Sequence, residues 1–340
     1  MIKEAIQLLI EGNNLSEEQM TDVMRDIMEG KATDSQIGAF LTALRMKGET
    51  VEEITGAAKV MREKVSSIKA PEYTVDTCGT GGDISHTFNI STTAALVVAA
   101  CGVPVAKHGN RSVSSSCGSA DVLEALGIKI DLEPEKVEKC LEETGFCFMF
   151  APLFHPAMKY AIGPRKDMGV RTVFNILGPL TNPAGAERQV LGVFSDTLTV
   201  TMAKVLGNLG AKHAFVVNGE DGLDEITNTD LTRVSELKES TVDTYYISPE
   251  EFGLKRAEKK ELVGGSASEN AGITIDILEG KTGPKRDIVI MNCAAALIAG
   301  NKVEGFHEGV EKAANIIDSG AARKKLEEVK KVSSKLSKSS

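Results

Sequence analysis

Positive charge is not in excess, no long apolar run occurs, and no two cysteines form a Cys-x-x-Cys pair. Each absence removes a class of protein. With 39 Lys and Arg against 48 Asp and Glu, the formal net charge is −9, which argues against nonspecific binding to nucleic acid or to anionic membranes. The longest apolar stretch, 94–106, contains Gly102 and Pro104 and is too short to span a bilayer. Met1-Ile2-Lys3-Glu4 begins an amphipathic helix rather than a signal peptide. Cys78, Cys101, Cys117, Cys140, Cys147 and Cys293 are scattered over 340 residues. That usage predicts reduced thiols in a cytoplasmic protein, with neither a disulfide framework nor a zinc site. No internal repeat is visible.

What is present suits a globular chain long enough for two domains. Residues 1 to about 70 read as helices, with capping boxes at Ser16/Gln19, Thr33/Gln36 and Thr50/Glu53. Gly30 and Gly48 mark helix ends. Met20, Val23, Met24 and Ile27 share one face, as do Ile37, Phe40, Leu41 and Leu44, so short connections predict a compact antiparallel bundle. Ser66 to Lys69 leads out of it, and Ala70-Pro71 stops helical geometry. That connection is either a hinge or a rigid link.

The stretch 73–127 organises the rest. Tyr73 to Cys78 predicts a strand running into Gly79-Thr80-Gly81-Gly82-Asp83. Ala94 to Cys101 predicts an apolar helix closed by Gly102, and Val103 to Ala106 a second strand. A polar loop from Lys107 to Ser112 follows, then a helix from about Ser119 to Leu126. This is βαβ with two polar loops at the carboxyl ends of adjacent parallel strands, where ligands bind. Glycines let backbone N–H groups converge, and Thr80, Thr87, Ser91, Thr92, Ser114 and Ser115 add hydroxyl donors. A helix N-terminus, Lys107 and Arg111 add positive charge, so the chemistry points to phosphate. Two familiar phosphate motifs fail on spacing. The dinucleotide fingerprint would need glycine at Ile84, and the nucleotide triphosphatase loop ending in Gly280-Lys281-Thr282 would need it at Ile275.

Beyond Gly127, Ile128 to Asp131 alternates as a strand, Glu133 to Glu143 reads as a helix with Pro134 in its first turn, and Phe146 to Phe150 as a buried strand. Met158 to Gly178 is helical in pattern. Gln189 to Phe194 and Phe215 to Asn218 predict strands around a helix from Leu198 to Leu209. Asn218 to Glu225 forms another strand-end loop, with adjacent carboxylates at Asp224-Glu225. Thr241 to Ile247 is β-like, 273–278 fits strand or helix, and 292–300 and 310–329 read as helices. The Ser/Lys-rich tail after Val332 is expected to fray.

Asp76-Thr77-Cys78-Gly79-Thr80-Gly81-Gly82-Asp83, Phe88-Asn89-Ile90-Ser91-Thr92, Lys107-His108-Gly109-Asn110-Arg111, Gly118-Ser119-Ala120-Asp121-Val122-Leu123-Glu124 and the run Arg171 to Pro183 resemble the anthranilate phosphoribosyltransferase family. The match runs in order over nearly the whole chain. It implies transfer of phosphoribose from phosphoribosyl pyrophosphate (PRPP) to the amine of anthranilate, an early step of tryptophan synthesis. It also implies an α/β fold with a separate small all-helical domain and a mostly parallel sheet flanked by helices, the two-domain plan shared with nucleoside phosphorylases. The small domain would be 1–70 plus about 158–185, used for homodimerisation and the anthranilate side. The large domain would be 71–157 plus about 186–340, on the PRPP and magnesium side.

The same resemblance assigns residues. Gly79, Gly82, Asp83, Thr87, Asn89, Ile90, Ser91, Thr92, Lys107, His108, Gly109, Asn110, Arg111, Ser112, Val113, Ser114, Ser115 and Ser119 match the PRPP loops. Gly79, Asn110 and Arg165 match anthranilate contacts, and Arg165 has the planar fork that suits a benzoate. Ser91, Asp224 and Glu225 match the Mg2+ ligands, as a departing diphosphate requires. His108 orients the amine or merely packs, and no general base is assigned. Two departures stand out: Ser116 sits where many relatives carry lysine, removing a cation near the phosphates, and Lys166-Asp167 replaces a commoner Arg-Glu. The competing readings are a pyrimidine nucleoside phosphorylase and a non-catalytic nucleic-acid-binding relative. The acidic charge disfavours the second.

Overall fold

In a computed structural model describing residues 1–81, 86–112 and 117–338, four helices come first: α1 (Ile2–Ile10), α2 (Glu17–Met28), α3 (Asp34–Lys47) and α4 (Val51–Glu63). All three expected capping boxes form; at the first, Ser16 Oγ accepts from Gln19 N at 3.2 Å and Gln19 Oε1 from Ser16 N at 2.9 Å. Glu53 does more than cap. Buried, it pairs with Lys47 at 2.9 Å and accepts from Leu15 N at 2.9 Å, pinning the turn before α2.

The chain then alternates through β1 (Val75–Gly79), α5 (Ile90–Ala100), β2 (Val105–Gly109), α6 (Ser119–Ala125), α7 (Pro134–Thr144) and β3 (Phe146–Phe150). Short α8 (Ala151–Phe154) leads to α9 (Lys159–Met168), which packs on α2 and α3, and then to α10 (Phe174–Leu177). Next come β4 (Arg188–Gly192), α11 (Leu198–Asn208), β5 (His213–Gly219), β6 (Thr232–Lys238) and β7 (Thr241–Ile247). Four helices close the chain: α12 (Ala267–Leu278), α13 (Pro284–Ala299), α14 (Phe306–Asp318) and α15 (Ala321–Lys338).

The seven strands lie in the order β3-β2-β1-β4-β5-β6-β7, parallel through β5 and antiparallel beyond it. Helix α5, and α13 beyond its charged first turn, are buried nearly all round because they are enclosed between the sheet and α14 and α15. The opposite face of β4 and β5 shares one core with α11 and the amino-terminal bundle. No described helix is long and apolar enough to cross a membrane.

Several expectations need correction. Ile128 to Asp131 is not a strand: Ile128 and Ile130 are buried alternately, but Lys129 N bonds to Ser333 Oγ of α15 rather than to a neighbouring strand. The helical run 158–178 is broken by Gly169, left-handed at φ 62°, and 310–329 is two helices separated by Gly320 at φ 73°. The tail does not fray before Lys338, because Val329, Ser333 and Leu336 are buried. Tyr73 falls outside β1, at φ 63°. The connection after α4 is stitched down, with Ser66 N on Phe154 O at 2.9 Å and Ile68 N on Pro183 O at 3.1 Å. Any hinge there must break those bonds.

Candidate active site

The strand order reverses between β1 and β4, which opens a crevice at their carboxyl ends. Thr80 N donates to Gly192 O at 2.9 Å and Phe194 N to Thr80 Oγ1 at 3.1 Å, closing the floor of that crevice. The loop after β5 crosses above it. A Cβ at Gly192 would lie 1.5 Å from Asp224 O, and one at Gly79 2.3 Å from Asp224 Oδ2. Glycine at both strand ends is therefore what admits the acidic loop. Asp224 Oδ2 accepts from Gly81 N at 2.9 Å, and Glu225 Oε1 from Ser91 N at 3.1 Å. The acid pair thus bridges the glycine turn and the first turn of α5.

Asp221 holds that loop in shape. Its carboxylate accepts from Thr227 Oγ1 at 2.8 Å, from Leu223 N at 3.2 Å and from Thr229 Oγ1, while its carbonyl accepts from Lys259 Nζ at 2.8 Å. Ser91, Asp224 and Glu225 offer oxygen donors only, which suits Mg2+. Among the described residues no group of three or more His, Cys, Asp or Glu could hold a metal by itself.

The second loop begins at Lys107, which is 2% exposed and donates to Thr77 O and, at 3.4 Å, to Ser91 Oγ. Asp76 lies beneath it, accepting from His108 N at 3.3 Å and from Asn182 Nδ2 at 2.7 Å; burial pushes its carboxyl pKa up. A Cβ at Gly109 would meet Ser119 Oγ at 2.2 Å, so α6 starts directly on this loop. Asn110 O accepts from Ala120 N at 3.2 Å and Ser119 Oγ at 3.3 Å, and Ser112 N bonds to Asp121 Oδ2 at 3.1 Å. The Arg111 guanidinium meets Asp121 at 2.8 Å and Glu124 at 2.9 Å, so the protein already shares its charge. Thr87 bridges to Val263, and Ile90 and Thr92 are buried in the first turn of α5. Gly82, Asp83, Val113, Ser114, Ser115 and Ser116 lie outside the described residues.

Arg165 projects from α9 with its guanidinium 5.1 Å from the Phe174 ring centre. It is half-buried, and burial lowers its pKa. Among the described residues no carboxylate forms an ion pair with it. At the opposite, amino-terminal edge of the sheet a cavity of about 620 Å3 also carries charge. Its lining balances Arg188, Lys212 and Lys238 against Glu72, Glu187 and Glu239.

Two family profiles divide the chain: "glycosyl transferase family, helical bundle domain" over residues 3–65 and "glycosyl transferase family, a/b domain" over 72–323. Anthranilate phosphoribosyltransferase of Acetivibrio thermocellus is 57% identical over 96% of this chain and 95% of its own. The crystal structure of the Thermus thermophilus anthranilate phosphoribosyltransferase superposes with a TM-score of 0.92 at 44% identity, covering 97% of this chain and 99% of that one. The Saccharomyces cerevisiae enzyme in complex with PRPP and Mg gives 0.90 at 30% identity, over 98% of both chains. The chain belongs to the anthranilate phosphoribosyltransferase family.

Within this phosphoribosyltransferase scaffold, His108 is a neutral group. Its Nε2 lies 3.1 Å from His155 Nε2, so one ring donates and the other accepts. Burial, then the neighbouring His155, push the His108 pKa down to about 3 against an opposing hydrogen bond to the Gly178 backbone; burial pushes His155 down to about 4. The sign follows from linkage. The unfolded chain binds protons at these positions below about pH 6.5 while the fold does not, so acidification toward pH 4 favours unfolding. Thermal melts should therefore fall between pH 7 and pH 5, more shallowly in His155→Asn. A fall of unchanged slope in that variant would show that other groups set the acid sensitivity.

Gly192, Asp221 and Asn270 received no role from sequence reasoning, and His155 was read only as structural. Only Gly192 carried a usable signal, since a glycine inside a strand pattern marks close backbone approach.

Proposed function

We propose that this chain is an anthranilate phosphoribosyltransferase that moves 5-phosphoribose from PRPP to the amine of anthranilate, releasing pyrophosphate, in tryptophan biosynthesis. The observation that carries the reading is the convergence, at one sheet edge, of the Asp224-Glu225 pair with the glycine turn and the amino end of α5. Identity of 57% to a curated relative over 96% of the chain supports the same substrates.

Anthranilate is a weak nucleophile because its amine lone pair is delocalised into the ring. Transfer at ribose C1 therefore depends on departure of the diphosphate and on an oxocarbenium-like centre. Gly79, Gly82, Asp83, Thr87, Asn89 to Thr92, Lys107 to Ser115 and Ser119 are assigned to the sugar donor, whose phosphates would displace or share the carboxylates now held by Gly81 N, Ser91 N and Ser112 N. Lys107 supplies a buried cation between β1 and α5. Mg2+, held by Asp224, Glu225 and the Ser91 hydroxyl, would neutralise charge on the leaving group. Arg165, with Gly79 and Asn110, takes the benzoate from the α9 side. His108, with Nε2 on His155 and a hydrogen bond to the Gly178 backbone, is given no proton-transfer role; it orients the amine or merely packs beside the site. No strong base is needed, because the nitrogen becomes acidic once bonded to C1.

We assign residues 1–70 with about 158–185 to the small domain and 71–157 with about 186–340 to the large one; packing of α9 on α2 and α3 supports this. Homodimerisation through the helical domain is assigned on the family resemblance; Ile10, Met46 and Ile162 are exposed on that side. Six cysteines, none in a disulfide, fit a cytoplasmic setting.

Purified protein with Mg2+ should consume anthranilate fluorescence only when PRPP is present. No turnover, with phosphorolysis of uridine or thymidine instead, would overturn the assignment. Arg165→Ala is expected to raise the KM for anthranilate roughly 10- to 100-fold, the scale of a charged hydrogen bond, with little effect on the KM for PRPP. Unchanged anthranilate saturation would remove Arg165 from the site.

A further inference from the structure

One chain of side-chain amides joins both donor loops to a segment outside them. Gly265 N donates to Asn270 Oδ1 at 2.8 Å, Asn270 Nδ2 donates to Asn89 Oδ1 at 3.0 Å, and Asn89 Nδ2 donates to Cys117 O at 3.1 Å. Asn89 starts α5 at the end of the first loop, and Cys117 ends the second loop just before α6. Asn270 is 1% exposed, in the first turns of α12. The segment before α12 is tied to the same places. Thr87 bridges to Val263, Gly264 N bonds to His86 O at 2.9 Å, and Phe88 N bonds to Leu262 O at 3.3 Å. Its other end reaches the acidic loop, through Lys259 on Asp221 O and Ala257 N on Asn228 O at 2.9 Å.

We propose that Asn270 is a positioning residue for the sugar-donor site, fixing the spacing of the two phosphate-facing loops through Asn89. The proposal deepens the transferase reading and rests on it for the identity of the donor. Every link of the relay runs donor to acceptor in the same direction, so each amide polarises the next. Asn89 has one carbonyl and one amino group, and both are engaged. It cannot lose its Asn270 donor without leaving a part-buried oxygen unpaired or rotating and abandoning Cys117. Either response lets the loops drift apart, and displacement of about 1 Å is costly for a site built from oriented N–H groups.

Asn270→Asp is nearly isosteric and keeps the bond from Gly265, but cannot donate to Asn89. Thr274→Val is the control. Thr274 lies one turn further along α12, is equally buried, and bonds Thr93 of α5 at 2.9 Å; Thr93 in turn donates to the Asn89 carbonyl at 3.0 Å, so the substitution removes a hydroxyl beside the relay while leaving the Thr93–Asn89 bond and every amide link in place. Asn270→Asp should raise the KM for PRPP roughly tenfold or more while leaving the KM for anthranilate within about twofold. Thr274→Val should lower the melting temperature with both constants unchanged. An unchanged KM for PRPP in Asn270→Asp, or equal shifts in both variants, overturns the proposal. Amide exchange without substrate gives a second reading. Residues 86–90 and 117–119 should exchange faster in Asn270→Asp and not in Thr274→Val; no difference overturns the relay. If the wild-type protein fails to use PRPP, the transferase reading falls, and the exchange experiment still judges the relay. Should Asn270→Asp not fold, Asn270→Ser, which fits the space, is read in the same two ways.

Discussion

Asp224→Asn is expected to lower turnover roughly 10²- to 10³-fold, about 2.7–4 kcal/mol of transition-state stabilisation, and to raise the magnesium needed for half-maximal rate. The substitution is chosen because the amide oxygen can still accept from Gly81 N, now 2.9 Å from Asp224 Oδ2. The loop should keep its place while one negative charge is lost. Melting temperature and the KM for anthranilate should change little. Kinetics over a range of magnesium concentrations, read beside a thermal melt, separate this from a folding defect. Turnover near wild type with unaltered magnesium dependence would remove Asp224 from the metal set.

Gly192→Ala should cost at least as much activity through a different cause. The new Cβ would stand 1.5 Å from Asp224 O, and that atom is backbone, so no rotamer change relieves the clash. The acidic loop must lift, carrying both Asp224 and Glu225 away from Gly81 and Ser91. Overpacking of this kind typically costs about 1–3 kcal/mol of stability, so the fold should survive with a lowered melting temperature. Loss of activity should exceed that of Asp224→Asn, because two carboxylates move rather than one charge vanishing. Substitution at Gly185, where a Cβ meets nothing within 4 Å but φ is 60°, provides the comparison: strain without a collision, far from the crossing. Equal losses at both positions would mean that glycine matters for conformation alone.

Much of this was legible in the sequence where local chemistry and tertiary context agree. The capping boxes at Ser16, Thr33 and Thr50 are local signals, and all three form. The βαβ unit from Val75 to Gly109 was visible because its strands and helix are buried and bounded by glycine. The hairpin of β6 and β7 was only half visible. Its turn uses Glu239 and Ser240 at φ 49° and 71°, where asparagine and glycine usually announce two left-handed residues. The alternation at Ile128 to Asp131 was real but served burial under α15 rather than pairing. At the site, residue types with distinctive chemistry could be picked out along the chain. Their mutual arrangement could not: that Asp224 reaches Gly81 over 143 positions, or that Asn270 holds Asn89 over 181, belongs to the fold. Arg111 illustrates the limit, since its carboxylate partners Asp121 and Glu124 come into reach only when α6 folds back on the loop.

The most direct test is a crystal structure of the protein with PRPP and Mg2+. The account predicts the diphosphate over the carboxyl ends of β1 and β2, with the metal on the side of Asp224 and Glu225 and the ribose open toward Arg165. Density for the sugar donor at the amino-terminal edge of the sheet, between Arg188 and Lys212, would contradict it.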